Sequence, residues 1–194
     1  MVRTRAVSRI GLLTSLVVAL IAAHADALPV FAPLSGHWYD SIAVSGGINW
    51  DDARTAAESS AFGGAQGHLV TITSAAEQSF LETNMPAATF GAPGVFGYWI
   101  GGYRPGGSTD FSWVTGETFG PYTNWNGGEP NFDEPPAGIH FFGVGSPLGT
   151  WNDATAAIWN FGGYVVEYEG VPLPPSLLLL IAGLVGLARR RTPS

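Results

Sequence analysis

Apolar positions along the chain change their period several times. From Trp50 they fall at Ala53, Ala56, Ala57 and Ala61, with Asp51, Asp52, Arg54 and Glu58 between them. Spacings of three and four put the first set on one helical face. Asn49 stands at the cap position, and Gly63-Gly64 end the run. Ser74-Ala75-Ala76-Glu77 is a capping box, with serine at the cap and glutamate three residues later. It opens a second helix that turns Phe80 and Leu81 to the core, with Pro86 beyond its end. Between the helices, His68-Leu69-Val70-Thr71-Ile72 is an apolar run of strand length. Further strands are expected at His37-Trp38-Tyr39 and at residues 139–142 and 164–168. Residues 42–47 read as a turn-rich approach. Two helices and several short strands, joined by glycine- and proline-rich turns, predict an α+β domain.

Both ends depart from this alternation. Arg3, Arg5 and Arg9 precede an apolar run over residues 10–23, followed by Ala23-His24-Ala25, a small-x-small cleavage pattern. That is the layout of a secretory signal peptide over residues 1–25, with an uncleaved anchor as the alternative. The mature chain is expected to start at Asp26, with a lead-in over residues 26–36, one domain over 37–169 and a tail over 170–194. The tail reads Val171-Pro172-Leu173-Pro174-Pro175, an apolar run of residues 176–188, then Arg189-Arg190-Arg191. As a helix the run reaches only about 20 Å, against about 30 Å for the hydrocarbon core of a bilayer. The arginines would stay on the cytoplasmic side. This order resembles the PEP-CTERM sorting tail of Gram-negative bacteria, with Leu173 where the signature commonly has glutamate. The resemblance implies transient membrane retention, cutting by an exosortase-type enzyme and release to the cell envelope surface or extracellular matrix. A permanent C-terminal anchor is the alternative. Both readings place the domain outside the cytoplasm.

Composition narrows the classes. Gly at 27 and Pro at 14 of 194 residues favour turns and long loops over a helical bundle, and no cysteine is present for a disulfide framework or a thiolate metal site. All fifteen acidic residues lie between residues 26 and 170, with only Arg54 and Arg104 to oppose them there. So anionic a body argues against a nucleic-acid partner, whose phosphates require basic groups. It suits cation binding or a well-solvated exported domain.

Two triplets carry candidate chemistry. Glu129-Pro130-Asn131 offers a carboxylate and an amide oxygen, and Trp151-Asn152-Asp153 offers the same pair about twenty residues on. Such oxygens suit Ca²⁺, a hard cation that takes six to eight of them. Taken alone, each triplet also reads as turn chemistry. The ordered series Trp50, Gly63-Gly64, His68–Ser74, Glu77, Phe80-Leu81, Trp99-Ile100-Gly101, Trp113, Trp125, Glu129-Pro130-Asn131, Trp151-Asn152-Asp153 and the closing strand resembles the C-type lectin-like domain over about residues 37–169.

That resemblance implies a long loop region whose Glu129, Asn131, Asn152 and Asp153 bind Ca²⁺ and sugar together, with a cis bond before Pro130. Two vicinal sugar hydroxyls would complete the ion's shell. Glutamate-first order implies mannose- or glucose-type sugars rather than galactose. A further acidic ligand usual in the family falls at Pro136 or Ala137, leaving Asp133 or Glu134 to supply it. The family's two disulfides fall at Ala57/Val166 and Gly138/Ala156, both pairs replaced here by small or apolar residues.

Trp99, Trp113 and Trp151 read as core. Trp125 and Phe132 flank the site, as packing or as sugar platforms. His37, His68 and His140 show no metal spacing. The expected function is calcium-dependent binding of a polysaccharide or other glycan. The alternative is a calcium-independent adhesion or structural matrix protein. A glycoside hydrolase is disfavoured: no second domain forms a cleft, and the resemblance already assigns the best carboxylates to a cation.

Overall fold

The computed structural model describes residues 28–86, 88, 97–131, 136–142 and 149–173. The segment expected to be a signal peptide, Phe132, Asp133, Glu134 and the chain from residue 174 onward lie outside them. Eleven elements follow in order: β1 (Val30–Phe31), β2 (Trp38–Ile48), α1 (Trp50–Ser59), β3 (Ala61–Phe62), β4 (Ala65–Leu69), α2 (Ala75–Asn84), β5 (Trp99–Arg104), β6 (Ser112–Trp113), β7 (Ala137–Phe141), β8 (Trp151–Thr155) and β9 (Phe161–Tyr168). The fold is α+β.

Cap chemistry sets where the helices start. The Asn49 side chain accepts from the Asp52 N–H at 2.9 Å, and Ser74 Oγ accepts from the Glu77 N–H at 3.2 Å. Each satisfies an amide with no partner inside its helix. The capping box closes differently from expectation. Glu77 reaches back one residue further, to the Thr73 N–H at 2.9 Å, because its other oxygen accepts from the Tyr39 hydroxyl at 2.7 Å. Ala53 and Ala57 are buried, whereas Ala61 is exposed because α1 has already ended at Ser59.

The main sheet runs β1-β2-β9-β5-β7-β8. Strand β9 sits centrally, antiparallel to β2 and β4 and parallel to β5 at Trp99↔Tyr164. Residues 42–47 are not an approach but part of β2. Ser41, Ile42 and Ala43 pair with Val165, Tyr164 and Gly163, and the register then shifts before Ile48↔Phe161. Gly46 and Gly47 both take positive φ in that shift, a conformation that costs glycine nothing. The glycines that suggested a turn thus mark a bulge in a strand.

Two buried clusters hold the layers together. One joins Leu81 of α2 to Ile100, Trp113, Ile139 and Trp151, and the other joins Trp50 and Ala57 of α1 to Leu69, Trp99 and Val166. The three core tryptophans are buried as expected, Trp99 and Trp151 completely. At the positions that the resemblance gives to disulfides, packing serves instead. Ala57 and Val166 are fully buried, and the Trp50 indole lies where any side chain on Gly138 would stand. No helix among the described residues is long and apolar enough to cross a membrane, and the apolar run 176–188 lies outside them.

Candidate functional site

The 124–131 segment is tied to the start of β8. Trp151 donates its N–H to Asn124 O at 2.7 Å, Asn126 donates to Trp151 O at 2.9 Å, and Glu129 donates to Asn126 O at 2.9 Å. From below, Gln78 of α2 donates to Gly149 O at 2.7 Å and accepts from the Trp151 indole at 3.0 Å. Helix, strand and loop therefore share one hydrogen-bonded frame. Trp125 is half-buried, with its ring centroid 5.1 Å from Phe111 and 5.9 Å from Trp151, so its ring belongs to an aromatic cluster beneath the loop.

On that frame the two triplets meet. The Glu129–Pro130 peptide bond is cis. The Asn131 N–H lies 2.9 Å from Glu129 Oε2 and 3.2 Å from Asp153 Oδ1, so one amide gathers both carboxylates. Asp153 is fully buried and Asn131 is exposed, which makes the pair a floor and a rim.

Asn152 is placed by a different neighbour. It faces His140 across the β7–β8 pair and sets its amide nitrogen 3.2 Å from His140 Nε2. Burial pushes the His140 pKa down to about 3, so the ring is neutral. Its Nδ1 is 2.8 Å from the Phe141 carbonyl, which fixes the proton there and leaves Nε2 as the acceptor. The Asn152 amide must then donate to His140 and turn its oxygen elsewhere. That Oδ1 is buried and accepts no hydrogen bond among the described residues. A buried acceptor left in this way is costly unless something else supplies a positive partner.

Arg104 is the member that sequence reading missed. It ends β5 with only 4% exposure and sets Nη2 3.6 Å from Asp153 Oδ2. The two are far apart in the chain, and β7, paired to both β5 and β8, bridges them.

A second polar cluster lies elsewhere. His37 Nδ1 is 2.6 Å from Glu167 Oε1, and the Thr71 N–H donates to Glu167 Oε2 at 3.0 Å. The Tyr39 hydroxyl reaches Glu77 and lies 3.2 Å from Glu167. The hydrogen bond to Glu167 raises the His37 pKa, against the effect of burial. Burial, then the Glu167 charge, pushes Glu77 up to about 7. A cavity of about 580 Å³ opens beside this cluster, walled by Leu34 and Phe80 among others, and none of the four candidate ligands lines it. Its position follows from the polar cluster and not from the 124–131 loop.

The residues that could hold a cation are these four: Glu129 and Asp153 carry carboxylate oxygens, Asn131 and Asn152 carry amide oxygens, and Asn152 Oδ1 accepts no hydrogen bond among the described residues. The resemblance is matched by independent comparison. The family model described as Lectin C-type domain matches residues 46–157. A 151-residue stretch is 31% identical to part of halomucin from Haloquadratum walsbyi, covering 70% of this chain and 1% of that protein. Another, of 92 residues, is 34% identical to part of human C-type mannose receptor 2, covering 47% of this chain and 5% of the receptor. The chain thus spans a small fraction of either relative. The cow C-type carbohydrate-recognition domain of CD23, solved in the presence of a GlcNAc2Man3 oligosaccharide, overlays with a TM-score of 0.52 at 26% identity, covering 68% of this chain and 86% of that one. Domains of this kind typically bind Ca²⁺ and carbohydrate and are generally not enzymes. The fold is the C-type lectin fold, and the chain belongs to the C-type lectin domain family.

Proposed function

We propose that this chain is an exported, calcium-dependent carbohydrate-binding protein of a cell surface or extracellular matrix. The observation that carries the reading is the single Asn131 amide joining Glu129 and Asp153, beside a buried Asn152 oxygen that accepts no hydrogen bond among the described residues. Glu129, Asn131, Asn152 and Asp153 would hold the ion, with Asp133 or Glu134 as a further acidic ligand. Calcium would supply open coordination positions for two neighbouring sugar hydroxyls. The chain's own part is to fix the ligands, accept hydroxyl protons on the carboxylates and donate amide hydrogens from Asn131. Asn152 has one amide hydrogen directed at His140, which leaves it a single hydrogen for sugar.

Mannose- or glucose-type preference rests on the Glu129-Pro130-Asn131 order and on the likeness to a protein named as a mannose receptor. Export rests on the two terminal segments, with an exosortase-type enzyme as the processing partner and the membrane as a transient support. The test is retention of the folded protein on mannan and on galactan beads. Calcium-dependent retention on mannan, little on galactan and elution by chelator are the expected results. Equal retention with and without chelator would instead favour the second reading, a calcium-independent adhesion or matrix protein. That alternative draws on the Arg104–Asp153 pair, which gives the site an internal positive charge.

A further inference from the structure

Three features beyond the ligand set invite explanation: the cavity beside Glu167, the exposed Ile158-Trp159 pair and Arg104. The cavity's carboxylates are bonded to one another's partners within the fold, and nothing in the structure shows what would cover Ile158 and Trp159. Arg104 is different, because its charge bears on the site already described.

We propose that Arg104 is a resident cation of the candidate calcium site, holding Asp153 in place when no metal is bound and weakening the metal's affinity when it is. This rests on the calcium reading of Glu129, Asn131, Asn152 and Asp153. Asp153 is fully buried, and Arg104 is nearly so. A buried carboxylate without a positive neighbour is strongly disfavoured, and guanidinium is the one side-chain cation that never gives up its proton. The guanidinium is itself fixed. Nη1 donates to Ser108 O at 3.4 Å, and its carbon stands 5.6 Å from the centroid of Phe111. A group packed in this way cannot swing aside as an exposed lysine would.

The two oxygens of Asp153 divide the work. Oδ1 lies toward the Asn131 amide, on the loop side, while Oδ2 faces Arg104. The loop is therefore shaped as though an ion were already present on one side of Asp153. An ion arriving on the other side meets a fixed like charge a few ångströms behind its ligand. Like charges at such range inside a protein oppose binding strongly. The expected result is a site that is preformed but weak, occupied only where free calcium is plentiful.

Arg104→Gln removes the charge and keeps a donor for Asp153, and Arg104→Lys keeps the charge. Calcium affinity of the purified protein is read by calorimetry and by the calcium-induced rise in melting temperature. Arg104→Gln should bind calcium about tenfold more tightly or better, while melting lower than wild type in chelator. Arg104→Lys should stay near wild-type affinity. A residue with a merely structural role would lose both stability and affinity together. Tightened binding in Arg104→Gln supports the proposal even if wild type binds no measurable calcium, in which case the calcium-dependent function fails and the role of Arg104 stands. Unchanged or weakened binding in Arg104→Gln, beside a wild type that binds, overturns the proposal and leaves the function. No binding in wild type or either variant overturns both. Should Arg104→Gln not fold, tightened binding in Arg104→Met supports the proposal, and unchanged or weaker binding in Arg104→Met overturns it.

Discussion

Asp153 and Glu167 are both acids removed from water, at 0% and 1% exposure, yet their surroundings differ in kind. Glu167 lies on the central strand β9. Two separate segments send it hydrogen-bonding groups: His37 and Tyr39 from the first part of the domain, and Thr71 from the turn before α2. Asp153 lies near the sheet edge on β8, with an amide of the loop on one oxygen and Arg104 on the other. The first arrangement is a closed structural knot. The second is more open, and its Asn152 neighbour keeps a buried oxygen that accepts no hydrogen bond among the described residues. The difference in their cations matters as much. Arg104 brings a guanidinium fork, whereas His37 is an imidazole whose pKa the hydrogen bond to Glu167 raises.

The largest test is Glu167→Ala. It strips partners from the Thr71 amide, the Tyr39 hydroxyl and His37 at once, and should destabilise the fold by about 3 kcal/mol, read by urea unfolding. A loss no larger than that of an exposed substitution would show that Glu167 is not a structural knot.

Asp153→Ala should act on the other side of the comparison. Binding only to the folded state adds RT ln(1 + [L]/Kd), about 2.7 kcal/mol at a hundredfold excess over Kd. Wild type should therefore melt higher with calcium and fall back with chelator, while Asp153→Ala should show little response. Identical melting of the two with and without calcium would remove the metal from the account.

The smallest effect is that of pH. His37 holds its proton more tightly folded than unfolded, because of Glu167, so its contribution is fully present below about 6.5 and lost as pH rises through the higher folded value. Glu77, raised from 4.5 to about 7, acts with the same sign between those values. His140 acts oppositely below 6.5, since the unfolded chain would gain a proton that the buried ring refuses. Stability should thus decline modestly from pH 6.5 to 8, and His37→Asn should flatten that slope. An unchanged slope would show that another group sets it. Tyr39, Glu77, Glu167 and Glu169 are the other ionisable groups bearing on His37.

Local signals in the sequence translated directly into structure. Asn49 and Ser74 start their helices because a cap depends on amides two or three residues away. Trp99, Trp113 and Trp151 are core because little else can bury so large a side chain. Glu129-Pro130-Asn131 and Asn152-Asp153 were legible as oxygen clusters, and the meeting of Glu129, Asn131 and Asp153 follows from the β8 frame. What escaped notice depends on distant pairing. The Gly46-Gly47 pair looks like a turn until β9 is known to run beside it. His37 and Glu167 are 130 residues apart, and no spacing rule connects them. Arg104 gave no signal of its own, because only the placement of β7 between β5 and β8 brings it to Asp153.

Gly138 deserves its own consequence. The indole of Trp50 occupies the space beside its backbone, and Trp50 in turn donates to Ile100 O at 2.9 Å. The closure of α1 against the sheet is thus made by shape, at Gly138 of β7, and by a hydrogen bond to Ile100 of β5, with no cysteine anywhere in the chain. Thiol reductants have nothing to cut and oxidants nothing to mispair. The domain is indifferent to the thiol–disulfide balance of whatever surroundings it folds in, and the closure beside Gly138 depends on a tryptophan seated against a glycine.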